Sequence, residues 1–115
     1  MAATLPKTER LSSKTAIGRL MDGGRWSQTP HLRCCCLSGN GLEFNRIMVS
    51  VPKRNFKRAV RRNLLKRRLR ESYRLQKDLL GPGHDLLFVY TSAEIAESAV
   101  IREEVASVLE KIAGR

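Results

Sequence analysis

The chain has 115 residues and sets 22 Lys plus Arg against 11 Asp plus Glu, a formal charge of +11 with a pI near 10.5. At this length one domain is the limit, and 42% apolar residues suffice for a single core, which excludes disorder throughout. The longest unbroken apolar run, Leu86 to Tyr90, falls far short of the roughly 20 residues needed to span a bilayer, and the charged opening MAATLPKTER does not read as a secretory signal, so the expected location is cytoplasmic.

Residues 1–11 read as an extended arm. Ser12 or Ser13 then caps a short helix with Ile17, Leu20 and Met21 on one side, ended by Gly23-Gly24. His31 to Leu37 alternates, with Leu32, Cys34 and Cys36 on one face and Arg33 and Cys35 on the other. A turn at Ser38-Gly39-Asn40-Gly41 leads to Phe44–Val51, whose Ile47, Val49 and Val51 recur at period two before Pro52. These two strands are expected to form an antiparallel hairpin, with Trp26 packing against it. Residues 55–77 predict a long basic helix with Leu65, Leu69, Ser72 and Tyr73 on its core stripe. Leu86 to Tyr90 predicts a central strand buried on both faces. Thr91-Ser92-Ala93-Glu94 fits a capping box opening a last helix, whose stripe is Ile95, Ala99, Val105, Val108, Leu109 and Ile112. The order αββαβα implies an α+β fold, a small sheet packed with helices, over a single domain spanning 1–115.

The positive charge is concentrated. Lys53 to Arg74 holds eleven cations and one acid, Glu71, a net +10 in 22 residues, while the other 93 residues net only +1. On the helix, Ala59, Arg62, Asn63, Lys66, Arg67, Arg70 and Arg74 fall on a stripe beside the core stripe. Solvated helix faces intersperse both signs, so a face of one sign over five turns calls for a polyanion, and Arg suits phosphate because its planar fork makes two hydrogen bonds at once. A membrane-surface helix would need large apolar groups facing outward, whereas these Leu residues belong to the core.

Independent catalytic equipment is not evident. His84 and Asp85 are adjacent on a strand and point to opposite faces, so Asp85 cannot orient the His84 ring. Cys34, Cys35 and Cys36 are consecutive, a spacing that suits neither a disulfide framework nor a metal knuckle, and no metal or catalytic residue is assigned. Charge alone leaves three readings: a subunit of a ribonucleoprotein enzyme, a binding module such as a ribosomal protein or basic-helix DNA binder, and an RNA chaperone.

Val49-Ser50-Val51-Pro52-Lys53-Arg54, followed by Ala59-Val60-Arg61-Arg62-Asn63-Leu64-Leu65-Lys66-Arg67-Arg68-Leu69-Arg70-Glu71, resembles the protein subunit of bacterial ribonuclease P, whose members carry a strand ending in a basic pair and then AVxRNxxKRxxRE. Leu5-Pro6-Lys7 with Arg10, Leu11 and Lys14, and His84 to Val89, resemble its opening arm and later strand. The resemblance implies an α+β sandwich with a left-handed strand-helix-strand crossover. It implies a protein that binds the ribonuclease P RNA and assists removal of the 5′ leader from precursor tRNA, the RNA cutting with bound Mg²⁺. The implied partners are that RNA and precursor tRNA, without membrane or DNA. Carried over by position, Arg62, Asn63, Lys66, Arg67 and Arg70, with Lys53 and Arg54, face the ribonuclease P RNA, the first two lying clear of the core. Arg10, Lys14, Ile17 and Met21 line the leader cleft with the sheet beside them. Family members often have aromatic residues where Ile17 and Met21 stand, and these aliphatic side chains offer no base-stacking platform.

Overall fold

The computed structural model describes residues 5–114. Three helices, α1 (Lys14–Gly23), α2 (Ala59–Gln76) and α3 (Ser98–Ala113), accompany four strands: β1 (Arg25–Gln28), β2 (Leu32–Ser38), β3 (Arg46–Ser50) and β4 (His84–Tyr90). The sheet order is β1-β2-β4-β3, antiparallel except for the parallel pair β3·β4, so the fold is α+β with a mixed sheet. The order is αβββαβα, one strand more than the sequence pattern suggests. β1 has four residues and buries only Ser27, too short a run for periodicity to reveal.

β4 is central, as its apolar run requires. That placement overturns the expected β2·β3 hairpin, because β4 lies between those two strands. The chain after β2 does not fold back as a tight turn. Gly39 and Gly41, both at φ 78°, carry it over the start of β4, where the Asn40 backbone N–H donates to Gly83 O (2.9 Å) and its side-chain amide donates to His84 O (3.2 Å) and Asp85 Oδ1 (3.1 Å). Arg46 closes the arrangement with a two-pronged pair to the buried Asp85 carboxylate, 2.9 Å at each contact. His84 instead bonds Asn45 and Gly81, so His84 and Asp85 serve separate parts of the loop.

Each sheet face carries its own apolar cluster. Leu32, Cys34, Cys36, Ile47, Leu86, Phe88 and Tyr90 pack on one side against Leu65, Leu69 and Tyr73 of α2 and Ile101, Val105, Val108, Leu109 and Ile112 of α3. Cys35 and Leu87 pack on the other against Leu11, Ala16 and Leu20 from the α1 side. The three thiols are thus buried and divided between opposite faces, and burial pushes Cys35 up in pKa although the Arg33 charge opposes this.

Three element boundaries differ from expectation. The arm, whose first four residues lie outside those described, makes a 3₁₀ turn at Lys7–Glu9 and is held by a Lys77–Glu9 pair (3.0 Å). The basic helix starts at Ala59 and not residue 55, because Phe56 turns into the core beside Tyr90, ring centroids 5.9 Å apart. α3 starts at Ser98: the Tyr90 hydroxyl accepts from Ala96 N (2.9 Å) and donates to Glu94 O, winding the intervening chain around itself. Ser92 caps only a local turn to Glu94 N, so Ile95 and Ala99 stay outside the core.

Candidate nucleic-acid interface

α2 owes its position to Leu65, Leu69, Ser72 and Tyr73, all buried, which clamp one side of the helix to the sheet. The opposite side is then fixed in space with its cations outward. Asn63, Arg67 and Arg70 are exposed and Lys66 is half-buried. Among the described residues no carboxylate lies within ion-pair distance of Arg62, Lys66, Arg67 or Arg70; the helix's one acid, Glu71, pairs with Arg74 at 2.8 Å. Lys53 and Arg54 stand exposed in the turn between β3 and α2.

Arg62 behaves differently from the sequence expectation, and Arg68, for which the sequence suggested no role, is also engaged. Arg62 is half-buried and its Nη1 donates to the carbonyls of Phe56 (2.7 Å) and Lys57 (2.8 Å), so it braces the segment entering the helix and does not stand clear of the fold. Arg68 donates to Ala96 O (2.6 Å) and ties α2 to the chain before α3. The register gave no hint of these three bonds, since all the acceptors are backbone carbonyls of irregular segments.

Arg10 joins the α2 cations. The arm runs beside β3, with Leu11 N donating to Ile47 O (2.7 Å), and this sets Arg10 in a concavity with Leu5, Arg67, Arg70, Arg74 and the one carboxylate there, Glu71, which Arg74 engages. Partial desolvation, and then the charge of Arg10, lower the Arg70 pKa. Two guanidinium groups are held close enough to repel, an arrangement that an anion relieves.

On the opposite sheet face, α1 crosses from β3 to β2. Ser13 caps its start by accepting from Ala16 N (3.3 Å), and Cys35 Sγ donates to Leu20 O (3.5 Å) at its end. Gly24 must lack a Cβ, which would lie 2.3 Å from Cys35 Sγ. The helix covers Cys35 and Leu87 but leaves the next row across the sheet, Gln28, Arg33, Val89 and Ser50, exposed or half-exposed. Of the four expected cleft residues, Lys14 and Met21 are exposed and Ile17 is half-buried on α1, while Arg10 lies against β3 with Ile47, Met48 and Val49 and faces Arg70 of α2 as well. Trp26 is not packed in a hairpin core. It is 40% exposed on this same face, with the Arg33 guanidinium 4.4 Å from its ring centroid.

Among the described residues no three His, Cys, Asp or Glu side chains lie together as a metal site. No helix among them is long and apolar enough to cross a membrane.

The family model for ribonuclease P matches residues 5–113. The ribonuclease P protein component of Porphyromonas gingivalis is 32% identical over 96% of this chain and 87% of its own length, and that of Desulforapulum autotrophicum is 30% identical over 95% and 92%. In fold, the chain is similar to the ribonuclease P protein of Thermotoga maritima (TM-score 0.78, 23% identity, covering 90% of this chain and 96% of that one) and to that of Staphylococcus aureus (TM-score 0.78, 21% identity, 93% and 96%). Sequence, fold and a helix whose cations far outnumber its single acid agree: the chain belongs to the ribonuclease P protein component family, protein subunits of the ribonucleoprotein endoribonuclease that matures the 5′ end of tRNA with RNA as its catalytic subunit in bacteria.

Proposed function

We propose that this chain acts as one RNA-binding domain that grips the ribonuclease P RNA through the α2 face. Asn63, Lys66, Arg67 and Arg70 make the central contacts, Arg62 contributes what its backbone bonds leave available, and Lys53 and Arg54 extend the surface. The trough beside α1, with Arg10, Lys14, Ile17 and Met21 along it, takes the 5′ leader of precursor tRNA. Mg²⁺ held by the RNA supplies the chemistry of cleavage. The protein contributes orientation and charge neutralisation, which matter most when Mg²⁺ is too scarce to screen the phosphates. The partner is RNA and not DNA, since the leader and the ribozyme are both read on this view.

The observation that carries the proposal is the α2 face: cations of one sign, rigidly presented, with the nearby carboxylate already engaged by Arg74. Reconstitution tests it. Adding the protein to ribonuclease P RNA at low Mg²⁺ should raise the rate of precursor cleavage, and the protein without RNA should cleave nothing. Absence of stimulation would favour a plain binding module, and cleavage by an RNA-free preparation would assign the chemistry to the protein.

A further inference from the structure

The face of the sheet that α1 leaves open holds a single aromatic side chain among the described residues. By register its rows are Trp26, Cys35, Leu87 and Met48, then Gln28, Arg33, Val89 and Ser50, with Leu37, Asp85 and Arg46 beyond. The phenylalanines and tyrosines of β4 and α2 lie in the opposite cluster. Ile17 and Met21 of α1, assigned above to the leader path, have no π face. Trp26 is the chain's only tryptophan, and it stands at the β1 end of the trough, opposite the end marked by Arg10.

An indole 40% exposed on an edge strand forgoes burial that would contribute to folding. Arg33, from the paired strand, lies over the ring, 4.4 Å from its centroid, a contact that favours this placement of the indole. The surroundings are suited to an anionic polymer. From Gly23 to Leu42, twenty residues, there is no acid, while Arg33 supplies positive charge on the trough face. A flat aromatic surface beside a cation, at the end of an open trough, is the equipment for stacking an unpaired nucleobase while an adjoining phosphate is neutralised.

We propose that Trp26, held by Arg33, forms a stacking subsite for one unpaired base of the 5′ leader at the β1 end of the trough. The inference rests on the reading of that trough as the leader path. It adds where the strand is gripped and which side chain does it, and it gives binding a component that depends on stacking and not on charge.

The test uses the reconstituted holoenzyme and the fact that all indole emission comes from position 26. Titration with a leader-bearing precursor tRNA should quench or shift that emission, and leaderless mature tRNA should not. Trp26→Ala should lower the preference for precursor over mature tRNA, measured as a ratio of Kd values, by roughly 5- to 150-fold, the worth of one stacked base. Trp26→Phe should restore most of it. Equal emission changes with both tRNAs, or an unchanged Kd ratio in Trp26→Ala, would overturn the subsite and leave Trp26 and Arg33 as a surface pair of the hairpin. Failure of the unmodified protein to stimulate the ribonuclease P RNA would instead defeat the functional reading beneath it, so the two failures are distinguishable. Fluorescence on the unmodified protein decides the matter even if Trp26→Ala does not fold.

Discussion

Along α2, neighbouring positions perform opposite tasks, and substitution separates them. Leu69 is fully buried between helix and sheet, so Leu69→Ala should cost about 2–5 kcal/mol of stability in urea denaturation while the folded protein keeps its RNA affinity. Asn63 is exposed with its amide outward, so Asn63→Ala should weaken binding to ribonuclease P RNA and shift stability by less than about 0.5 kcal/mol. Arg62 belongs to both groups. Its guanidinium satisfies the carbonyls of Phe56 and Lys57, and Arg62→Ala should lower affinity and also cost about 1–2 kcal/mol of stability. Paired urea midpoints and gel-shift affinities for the three variants check this pattern. A stability loss at Asn63 matching that at Leu69 would place the amide in the core and contradict the exposed surface drawn for it.

Between elements, a polar clasp joins the turn after β1 to α3. Glu104, buried on α3, accepts hydrogen bonds from the Thr29 hydroxyl and the His31 backbone (2.8 Å) and pairs with His31 Nδ1 (2.6 Å). Burial pushes its carboxyl up, but the Thr29 and His31 hydrogen bonds and the His31 charge outweigh that and leave the pKa below its ordinary value. The group binds fewer protons folded than unfolded, so its stabilisation is in place above the unfolded value of about 4.3 and drains as pH falls through the lower folded pKa. Urea midpoints followed between about pH 7 and pH 3 should fall more steeply for the natural protein than for Glu104→Gln, and parallel curves would refute the clasp's role. Nothing in the residue pattern foretold this contact, since Thr29 and Glu104 meet only after the sheet has assembled. The same division runs through the whole fold. Periodicity revealed α2, because Leu65, Leu69 and Tyr73 must share a face, and the five-residue apolar run revealed β4 as central. The pairing of β2 with β3 was misread because a glycine turn between two strands resembles a hairpin, whereas a strand buried on both faces competes for the same edges and wins. The cationic face was legible as charge, but Arg10's place beside Arg70 depended on how the arm docks along β3.

For the molecule as a whole, the sheet acts as a partition. α2, carried on the β3-to-β4 crossover, presents its cations on one side, and α1 leaves the trough on the other, within a body of 36 × 29 × 27 Å. Two RNA segments can therefore be held at once without competing for one surface, with Arg10 at the edge between them. The partition also separates two kinds of energy. The binding proposed for α2 is chiefly ionic, because each phosphate neutralised releases condensed counterions and steepens the dependence on salt. If about five phosphates are contacted, a threefold rise in monovalent salt should weaken binding to ribonuclease P RNA by roughly two orders of magnitude. Removing one cation by Lys66→Ala should flatten the log-log slope by about one, whereas Trp26→Ala should leave it unchanged, because the indole lies on the other face of the sheet and meets no phosphate of that RNA. Binding isotherms over a salt series measure all three slopes on the same RNA. A slope near zero for the natural protein would mean that the α2 cations do not meet phosphate, and a slope altered by Trp26→Ala would mean that the indole supports the ionic surface from across the sheet.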